Sequence, residues 1–411
     1  MTPMRRLNVT AVALYLALGT MFASVPLYVT EELGGSKAMA GLAISIFFIA
    51  AVVTRPVVGR LADVHGRRLF IVIPPFAIAV LLVAMLGARW VPAVLAVRFG
   101  LGVFGSAFYT AAVTTSTDLN PHGQASAVAV LSISIYLGFA LGPTLGETLV
   151  HGATALAWLV PAALAVVAGA IVWGIPETRP AGDDATPAPD PGAYEELAPG
   201  LTGAGPAPTV PRAAAPGTRL WLGVLHPAAV LPGLTLLTLG LGYQAITSQS
   251  ALYATSIDMA TATPLFAAFA LSILGIRLVS GRLADTIGPV RVMFPGVACY
   301  IVGFGLLARF AAPVAAVVGI AFVGAGWALV FPAVTAWLSG RVPDAERGSA
   351  LGSLISFMDI GQGTGGYLVG GLADAFGFGT AFVAPAVLAA AGGIVLAVAV
   401  RRPGPTAPGG S

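Results

Sequence analysis

The sequence predicts an all-α membrane protein in which twelve transmembrane helices form two pseudo-symmetric six-helix bundles. Hydrophobic residues make up 57% of the 411 residues and charged residues only 9%, whereas soluble proteins carry about 25% charged residues. Apolar runs of about 20 residues, the length that a membrane helix needs, recur along the chain. The sequence Gly-Arg-Leu-Ala-Asp at 59–63 returns at 281–285, 222 residues later, and each aspartate follows an arginine (Arg55, Arg277) by eight residues. A cluster repeated at half the chain length indicates a duplicated bundle.

The apolar runs predict the helices in chain order. The first run is not followed by a cleavage site, because Glu31 and Glu32 come directly after it, and we expect it to remain as the first helix. The predicted spans are 8–29, 38–58, 69–88, 91–116, 124–149, 153–174, 226–254, 264–284, 291–309, 312–338, 347–372 and 378–400.

Two segments of different composition divide the chain. From about Glu177 to Thr218 the residues are mainly Pro, Ala, Gly and acidic, and such a stretch cannot bury a core. The residues after Arg402 are rich in Gly and Pro. We therefore predict an N-terminal six-helix bundle at 1–176, a flexible cytoplasmic linker at 177–222, a C-terminal six-helix bundle at 223–402 and a disordered tail at 403–411.

The duplication extends beyond the repeated pentapeptide. The sequence Gln-Ala-Ser-Ala at 124–127 opens the fifth span, and Arg-Gly-Ser-Ala at 347–350 opens the eleventh, 223 residues later. In the same register Gly138 falls on Gly361. The two halves are therefore predicted to be parallel repeats.

Basic residues predict the orientation of the helices. With a cytoplasmic N-terminus, nearly all arginines of the loops lie on the cytoplasmic side, and only Lys37, Arg89 and Arg309 lie outside. Both termini are then cytoplasmic. Richness in Ala, Gly, Pro and Arg is typical of a high-GC bacterial source, so we expect a multi-pass protein of the bacterial inner (plasma) membrane. The basic residues lack interleaved stacking aromatics, so no nucleic-acid partner is predicted.

The stretch from Gly59 to Arg68 resembles the signature of the major facilitator superfamily between its second and third helices, and 281–288 is a second copy. Glycines permit a tight turn, and an aspartate can lie against a helix N-terminus. The resemblance implies a major facilitator fold in which these residues hold the two halves together on the cytoplasmic side; a solvated turn is the alternative. We assign to this conformational latch Gly59, Asp63, Gly66, Arg67 and Asp285, with Arg55 and Arg277 as structural partners of the loop aspartates.

A second motif lies in the fifth span. Gly138, Gly142, Pro143 and Gly146 are similar to the GxxxGPxxG helix motif of antiporters in this superfamily, although Glu147 stands where the family usually has another glycine. Small residues four apart allow close helix approach, and proline permits a kink. Generic glycine packing is the alternative.

Ionisable residues at membrane depth are costly and mark function. Arg98 lies in a run similar to the helix-4 arginine motif of family antiporters. Asp359 lies near mid-membrane, where a carboxyl can exchange a proton, although it could instead be a polar packing contact. Glu147 is its rival and could pair with Arg98. We name Asp359, Glu147 and Arg98 as proton-coupling candidates. The first helix carries no acid, unlike many drug antiporters of the family.

The resemblance implies that helices 1, 4, 7 and 10 line a central cavity. Their aromatic, Met and amide side chains suit an amphiphilic cargo better than a free sugar. Each of them could equally be ordinary helix packing. The cavity candidates are Tyr15, Met21, Phe22, Tyr109, Tyr243, Gln244, Gln249, Trp327 and Phe331.

The sequence shows no phosphate-binding loop, nucleotide fold or paired metal-ligand histidines, so we predict neither an enzyme nor an ATP-driven pump, and no cofactor or metal. The prediction is a monomeric secondary active transporter, driven by a proton gradient, that exports a small amphiphilic organic compound such as a drug or natural product by alternating access. Its partners are this compound, protons and membrane lipid. The alternatives are efflux of a sugar or metabolite, uptake by proton symport, and a membrane sensor or scaffold.

Overall fold

The computed structural model describes residues 1–120, 123–178 and 225–401, apart from some side chains in and near the two repeated loops and at the starts of the fifth and eleventh helices. The predicted linker from 179 onward and the predicted tail lie outside the described residues, as do the side chains of Asp63 and Asp285.

Helices make up most of the described chain. A π-helical turn at Tyr28–Glu32 extends the first helix. The helices are α1 Pro3–Leu27, α2 Lys37–His65, α3 Arg67–Ala84, α4 Val91–Leu119, α5 Gln124–Gly152, α6 Leu156–Val172, α7 Val230–Ser256, α8 Thr263–Ile287, α9 Pro289–Arg309, α10 Pro313–Ser339 and a last run, Asp344–Arg401.

Gly377 divides the last helical run in two. Its φ of 79° and ψ of 165° are not helical, and glycine adopts a positive φ at low cost because it has no Cβ. We label the two parts α11 (344–376) and α12 (378–401). Within the described chain, nine helical runs are long and apolar enough to cross a membrane and two are shorter. Division of the last run at Gly377 gives the twelve predicted helices.

Glycines bring α5 onto α1 and α11 onto α7 in the same way in both halves. A Cβ added at Gly138 would lie 2.6 Å from the Leu16 backbone nitrogen, and one added at Gly142 would lie 2.5 Å from Gly19 Cα. In the second half, a Cβ at Gly365 would lie 2.8 Å from Leu241 Cα. Only glycine allows backbones this close. The fifth helix thus lies close against α1, and the α7–α11 contact repeats this geometry.

The tight turn predicted from the loop signature is present in both halves. Gly66 joins α2 to α3 with φ 94° and ψ 149°, and Gly288 joins α8 to α9 with φ 83° and ψ 151°. The two glycines are 222 residues apart, the offset of the repeated pentapeptide. The duplication therefore extends to backbone geometry that favours glycine.

Candidate functional site

An ion pair joins the two halves near the middle of the helices. Arg55 in α2 donates from Nη1 to Oδ2 of Asp359 in α11. The Asp359 side chain is 3% exposed and that of Arg55 is 31% exposed. A carboxylate this buried needs a cation close by, because the low-dielectric interior does not solvate its charge. Asp359 therefore depends on the opposite half for its charge partner.

Arg277 in α8 makes the equivalent contact on the other side of the bundle. Its Nη2 donates to the Tyr136 hydroxyl in α5 over 3.1 Å, and its guanidinium carbon lies 4.3 Å from the centre of the Tyr136 ring. Arg277 follows Arg55 by 222 residues, and Asp359 follows Tyr136 by 223. These are the two offsets of the sequence repeat. The halves thus meet at two related contacts. One is an ion pair between Arg55 and Asp359, and the other joins the cation Arg277 to the neutral phenol of Tyr136.

Tyr109 in α4 connects the two contacts into one cluster. It lies within electrostatic range of Arg55, Tyr136, Asp359 and Arg277, and the Arg55 guanidinium carbon is 5.8 Å from the centre of its ring. We call the set of Arg55, Tyr109, Tyr136, Arg277 and Asp359 the midplane cluster. It combines titratable, cationic and aromatic groups where the two halves meet.

The halves are also joined at the end of the bundle where α2 begins, which we call the Lys37 end. Both carboxylate oxygens of Asp374 in α11 accept backbone N–H bonds from the start of α2, Oδ1 from Lys37 (3.0 Å) and Oδ2 from Ala38 (2.9 Å). An acid suits this position because helix N-termini carry partial positive charge and unpaired N–H groups. Asp374 thus binds α11 to the N-terminus of a helix of the other half.

Backbones of the two halves also touch about two turns further along these helices. The Gly366 backbone N–H donates to Ser45 Oγ over 3.2 Å, and a Cβ added at Gly366 would lie 2.5 Å from the Gly41 oxygen. Buried Gln249 donates to the carbonyl oxygens of Lys37 and Gly366, 3.2 Å each. Gln249 was predicted to line the cavity; its side chain instead closes the Lys37 end, because its amide satisfies two carbonyls there.

Glu147 caps the N-terminus of α8 as Asp374 caps the N-terminus of α2. It is 5% exposed and accepts from the backbone N–H of Ala262 and from the Thr263 hydroxyl, the latter over 3.0 Å. The residue that departs from the family glycine motif therefore holds the N-terminus of α8 against α5. The suggested pairing of Glu147 with Arg98 is wrong, because the two side chains bind different partners.

Arg98 packs inside the first half. It is 1% exposed, donates to the α2 carbonyl oxygens of Ala43 (2.8 Å) and Ile44 (3.4 Å), and stands over the Phe47 ring. Its buried guanidinium is compensated by carbonyl dipoles of α2. The structure thus separates Arg98 from both other proton-coupling candidates.

The loop signature makes contacts within the first half. Arg67 forms an ion pair with Asp118 at the end of α4, and Glu177 accepts from the backbone N–H groups of Arg67 (3.0 Å) and Arg68 (3.2 Å), capping α3. Arg55 and Arg277 were predicted to be partners of the loop aspartates; they instead bind Asp359 and Tyr136. The side chains of Asp63 and Asp285, which were predicted to act as latches, lie outside the described residues.

The aromatic cavity candidates form one group in each half. In the first, Tyr15 lies edge-on to Phe139 (4.9 Å between ring centres), and Phe22 lies 5.3 Å from the same ring. In the second, Trp327 lies 4.7 Å from Tyr243 and stacks on Phe331. Met21 and Gln244 are fully buried. Of the candidates, Tyr109 is a member of the midplane cluster, where its ring lies next to Arg55.

Tyr136 and Asp374 are the residues that sequence reasoning missed. The repeat contains the signal for Tyr136, because the 223-residue register places it opposite Asp359. Asp374 follows the predicted eleventh span and carried no motif, so only its two bonds to α2 reveal it.

Comparison with known proteins agrees with this architecture. The sequence model of the Major Facilitator Superfamily matches residues 7–308 and 254–411. An uncharacterized MFS-type transporter of Burkholderia mallei (strain SAVP1) is 32% identical over 401 residues, covering 94% of this chain and 89% of that protein. An uncharacterized MFS-type transporter of Salmonella typhimurium is 28% identical and covers 94% of each chain.

Solved structures share the fold at low sequence identity. The nucleoside transporter NupG superposes with a TM-score of 0.75 at 15% identity, covering 98% of this chain and 100% of that one. A bacterial homologue of the human lysosomal transporter Spinster, in an inward-facing and occupied conformation, gives 0.74 at 14% identity and 98% coverage of both. With a family match over nearly its whole length, this chain belongs to the major facilitator superfamily and is a multi-pass membrane transporter.

Proposed function

We propose that this transporter exports a small amphiphilic organic compound in exchange for protons. The observation that carries the proposal is the Arg55–Asp359 ion pair, which joins the two halves at the middle of the bundle. Secondary transporters move their halves against each other around a site at this depth. A titratable contact between the halves links that movement to the state of one proton.

The charge on Asp359 decides how firmly the ion pair holds α2 to α11. When Asp359 is ionised, it binds the Arg55 guanidinium; a protonated, neutral carboxyl loses the attraction between opposite charges. The contacts at the Lys37 end, made by Asp374, Gly366 and Glu147, close the bundle on the same side of this pair. Proton uptake at Asp359 therefore favours separation of the halves, and its release favours closure at the Lys37 end.

Two further observations support export of an amphiphile. The aromatic groups around Tyr15 and Tyr243 flank the midplane cluster with large apolar surfaces that suit an apolar body. The α5 motif with Gly142 and Pro143 resembles that of family antiporters, and its glycines pack against α1 as close helix contact requires. The ion pair rather than Arg98 or Glu147 is our choice for the proton site, because Arg98 faces helix carbonyls and Glu147 caps α8.

The test is transport in inverted membrane vesicles from an efflux-deficient bacterial host. Compounds whose toxicity falls when the protein is expressed are added to vesicles that hold a pH gradient reported by a fluorescent amine. We expect at least one of these compounds to discharge the gradient in vesicles with the wild-type protein. Asp359→Asn should abolish this discharge, because an amide cannot exchange a proton.

Asp258→Asn is the matched control. Asp258 is exposed in the turn between α7 and α8, and its positive φ of 56° is tolerated by asparagine. This variant should discharge the gradient as the wild type does. Gradient-independent flux, or full coupling in Asp359→Asn, would refute the proposal. Discharge only when compound and proton move in the same direction would instead show symport.

A further inference from the structure

Arg277 lacks the compensation that Arg55 has. Its described contacts are the Tyr136 hydroxyl and the face of the Tyr136 ring, and its Nε is buried without a hydrogen-bond partner. Among the described residues no carboxylate lies within ion-pair distance of Arg277. A phenol is a neutral acceptor at physiological pH. The second contact between the halves therefore leaves a cation unneutralised.

The midplane cluster as a whole carries an excess of positive charge. Its described members include two guanidinium groups, Arg55 and Arg277, and one carboxylate, Asp359, and Tyr109 lies within electrostatic range of all three. An uncompensated cation at membrane depth is costly unless an anion or water stabilises it. Among the described residues, the site is thus short of one negative charge.

We propose that the cargo supplies this charge: it carries a carboxylate, sulfonate or phosphate group that Arg277 binds. A guanidinium presents parallel N–H donors that match the two oxygens of such a group. The inference rests on the proposed transport function and narrows its cargo to an amphiphilic anion.

Aromatic side chains near Arg277 suit the rest of such a molecule. Tyr243 lies within electrostatic range of Arg277 and Tyr136, and its ring is 4.7 Å from Trp327 and 5.3 Å from Phe269. These aromatic faces offer an apolar surface next to the cation. An aromatic or alkyl body can lie on them while its anionic group meets Arg277.

The test measures binding to the purified full-length protein in detergent and requires no transport. Thermal unfolding is recorded with a panel of aromatic and alkyl carboxylates and sulfonates, each paired with the neutral amide of the same skeleton; 1-naphthoate and 1-naphthamide are one pair. We expect at least one acid to bind tenfold or more tightly than its amide. Arg277→Gln should remove this preference, and Arg277→Lys should keep part of it.

Two variants complete the design. Arg309→Gln is the matched control, because Arg309 is exposed at the end of α9 over Phe310 and outside the cluster; it should bind the acids as the wild type does. Tyr136→Asp places a carboxylate opposite Arg277, as Asp359 is placed opposite Arg55. It leaves no charge unpaired, so it keeps the folded state, and it should abolish acid binding.

Equal binding of acids and amides would overturn the proposal, as would acid binding that survives both Arg277→Gln and Tyr136→Asp. Failure of every acid in the panel to stabilise the wild type would also overturn it. These outcomes are distinct from failure of the proposed function. Proton-coupled flux of neutral or cationic compounds would support export and refute the anionic cargo. Acid binding without flux would support the anionic cargo and refute proton-coupled export.

Discussion

Tyr136 in α5 occupies the position that Asp359 occupies in α11, and each of them binds an arginine of the opposite half. The duplication has therefore conserved the contact and changed its charge. One side of the bundle carries a pair that a proton can break, and the other carries a cation that a proton does not release. This asymmetry is the basis of both proposals.

Removing one member of the Arg55–Asp359 pair should destabilise the protein more than removing both. Arg55→Gln leaves the 3% exposed Asp359 side chain without its cation, and loss of one partner of a buried pair costs about 3–5 kcal/mol. The double variant Arg55→Gln, Asp359→Asn should recover most of this loss. Denaturant unfolding in detergent measures the cycle, with exposed Arg89→Gln as a control that should leave stability unchanged. Equal losses for the single and double variants would show that the pair contributes no coupling energy.

Gly366→Ala should impair closure at the Lys37 end. The new Cβ would lie 2.5 Å from the Gly41 oxygen and 2.6 Å from Ser45 Oγ, so α2 and α11 must move apart. Gly371→Ala is the matched control, because the nearest atom to its Cβ, in Ala38, is 3.8 Å away. We expect the first variant to lose transport while it still inserts and folds, and the second to retain transport. Normal transport by Gly366→Ala would mean that the helices do not need this contact.

Glu147→Ala should let α8 move away from α5. The variant removes the acceptor for the Ala262 N–H and the Thr263 hydroxyl, and loss of such a cap costs about 1–2 kcal/mol. Spin labels at exposed Thr148 and Thr261, in a Cys299→Ser background, report the distance between the two helix ends. We expect the distance distribution to shift to longer values.

Glu32→Ala is the control for that measurement. Glu32 accepts from the Thr154 hydroxyl within the first half, so its removal should leave the α5–α8 distance unchanged. An unaltered distance in Glu147→Ala would contradict a closing role for Glu147.

Arg98→Lys should lower stability without uncoupling transport from protons. Lysine keeps the charge, but its single ammonium cannot reach the Ala43 and Ile44 carbonyl oxygens in the geometry of the guanidinium. We expect a lower unfolding temperature and an unchanged ratio of protons to cargo in vesicles. A changed ratio of protons to cargo at normal stability would show that Arg98 takes part in proton coupling.

The sequence alone was sufficient to predict the helices and the internal repeat. The twelve spans follow from runs of apolar residues, and the turns at Gly66 and Gly288 follow from the repeated loop, because both are properties of short stretches of chain. The sequence also identified Asp359 and Arg277 as costly charges. The sequence could therefore show that these ionisable residues lie within the membrane-spanning segments.

Only the tertiary structure decided which residues meet. Arg55 binds Asp359 across 304 residues, Glu147 caps α8 and does not bind Arg98, and Gln249 closes the Lys37 end. None of these partners is fixed by spacing along the chain, because each contact lies between helices of opposite halves. The way in which the two bundles dock determines these pairs, and that docking is a property of the whole helix surface rather than of any local pattern.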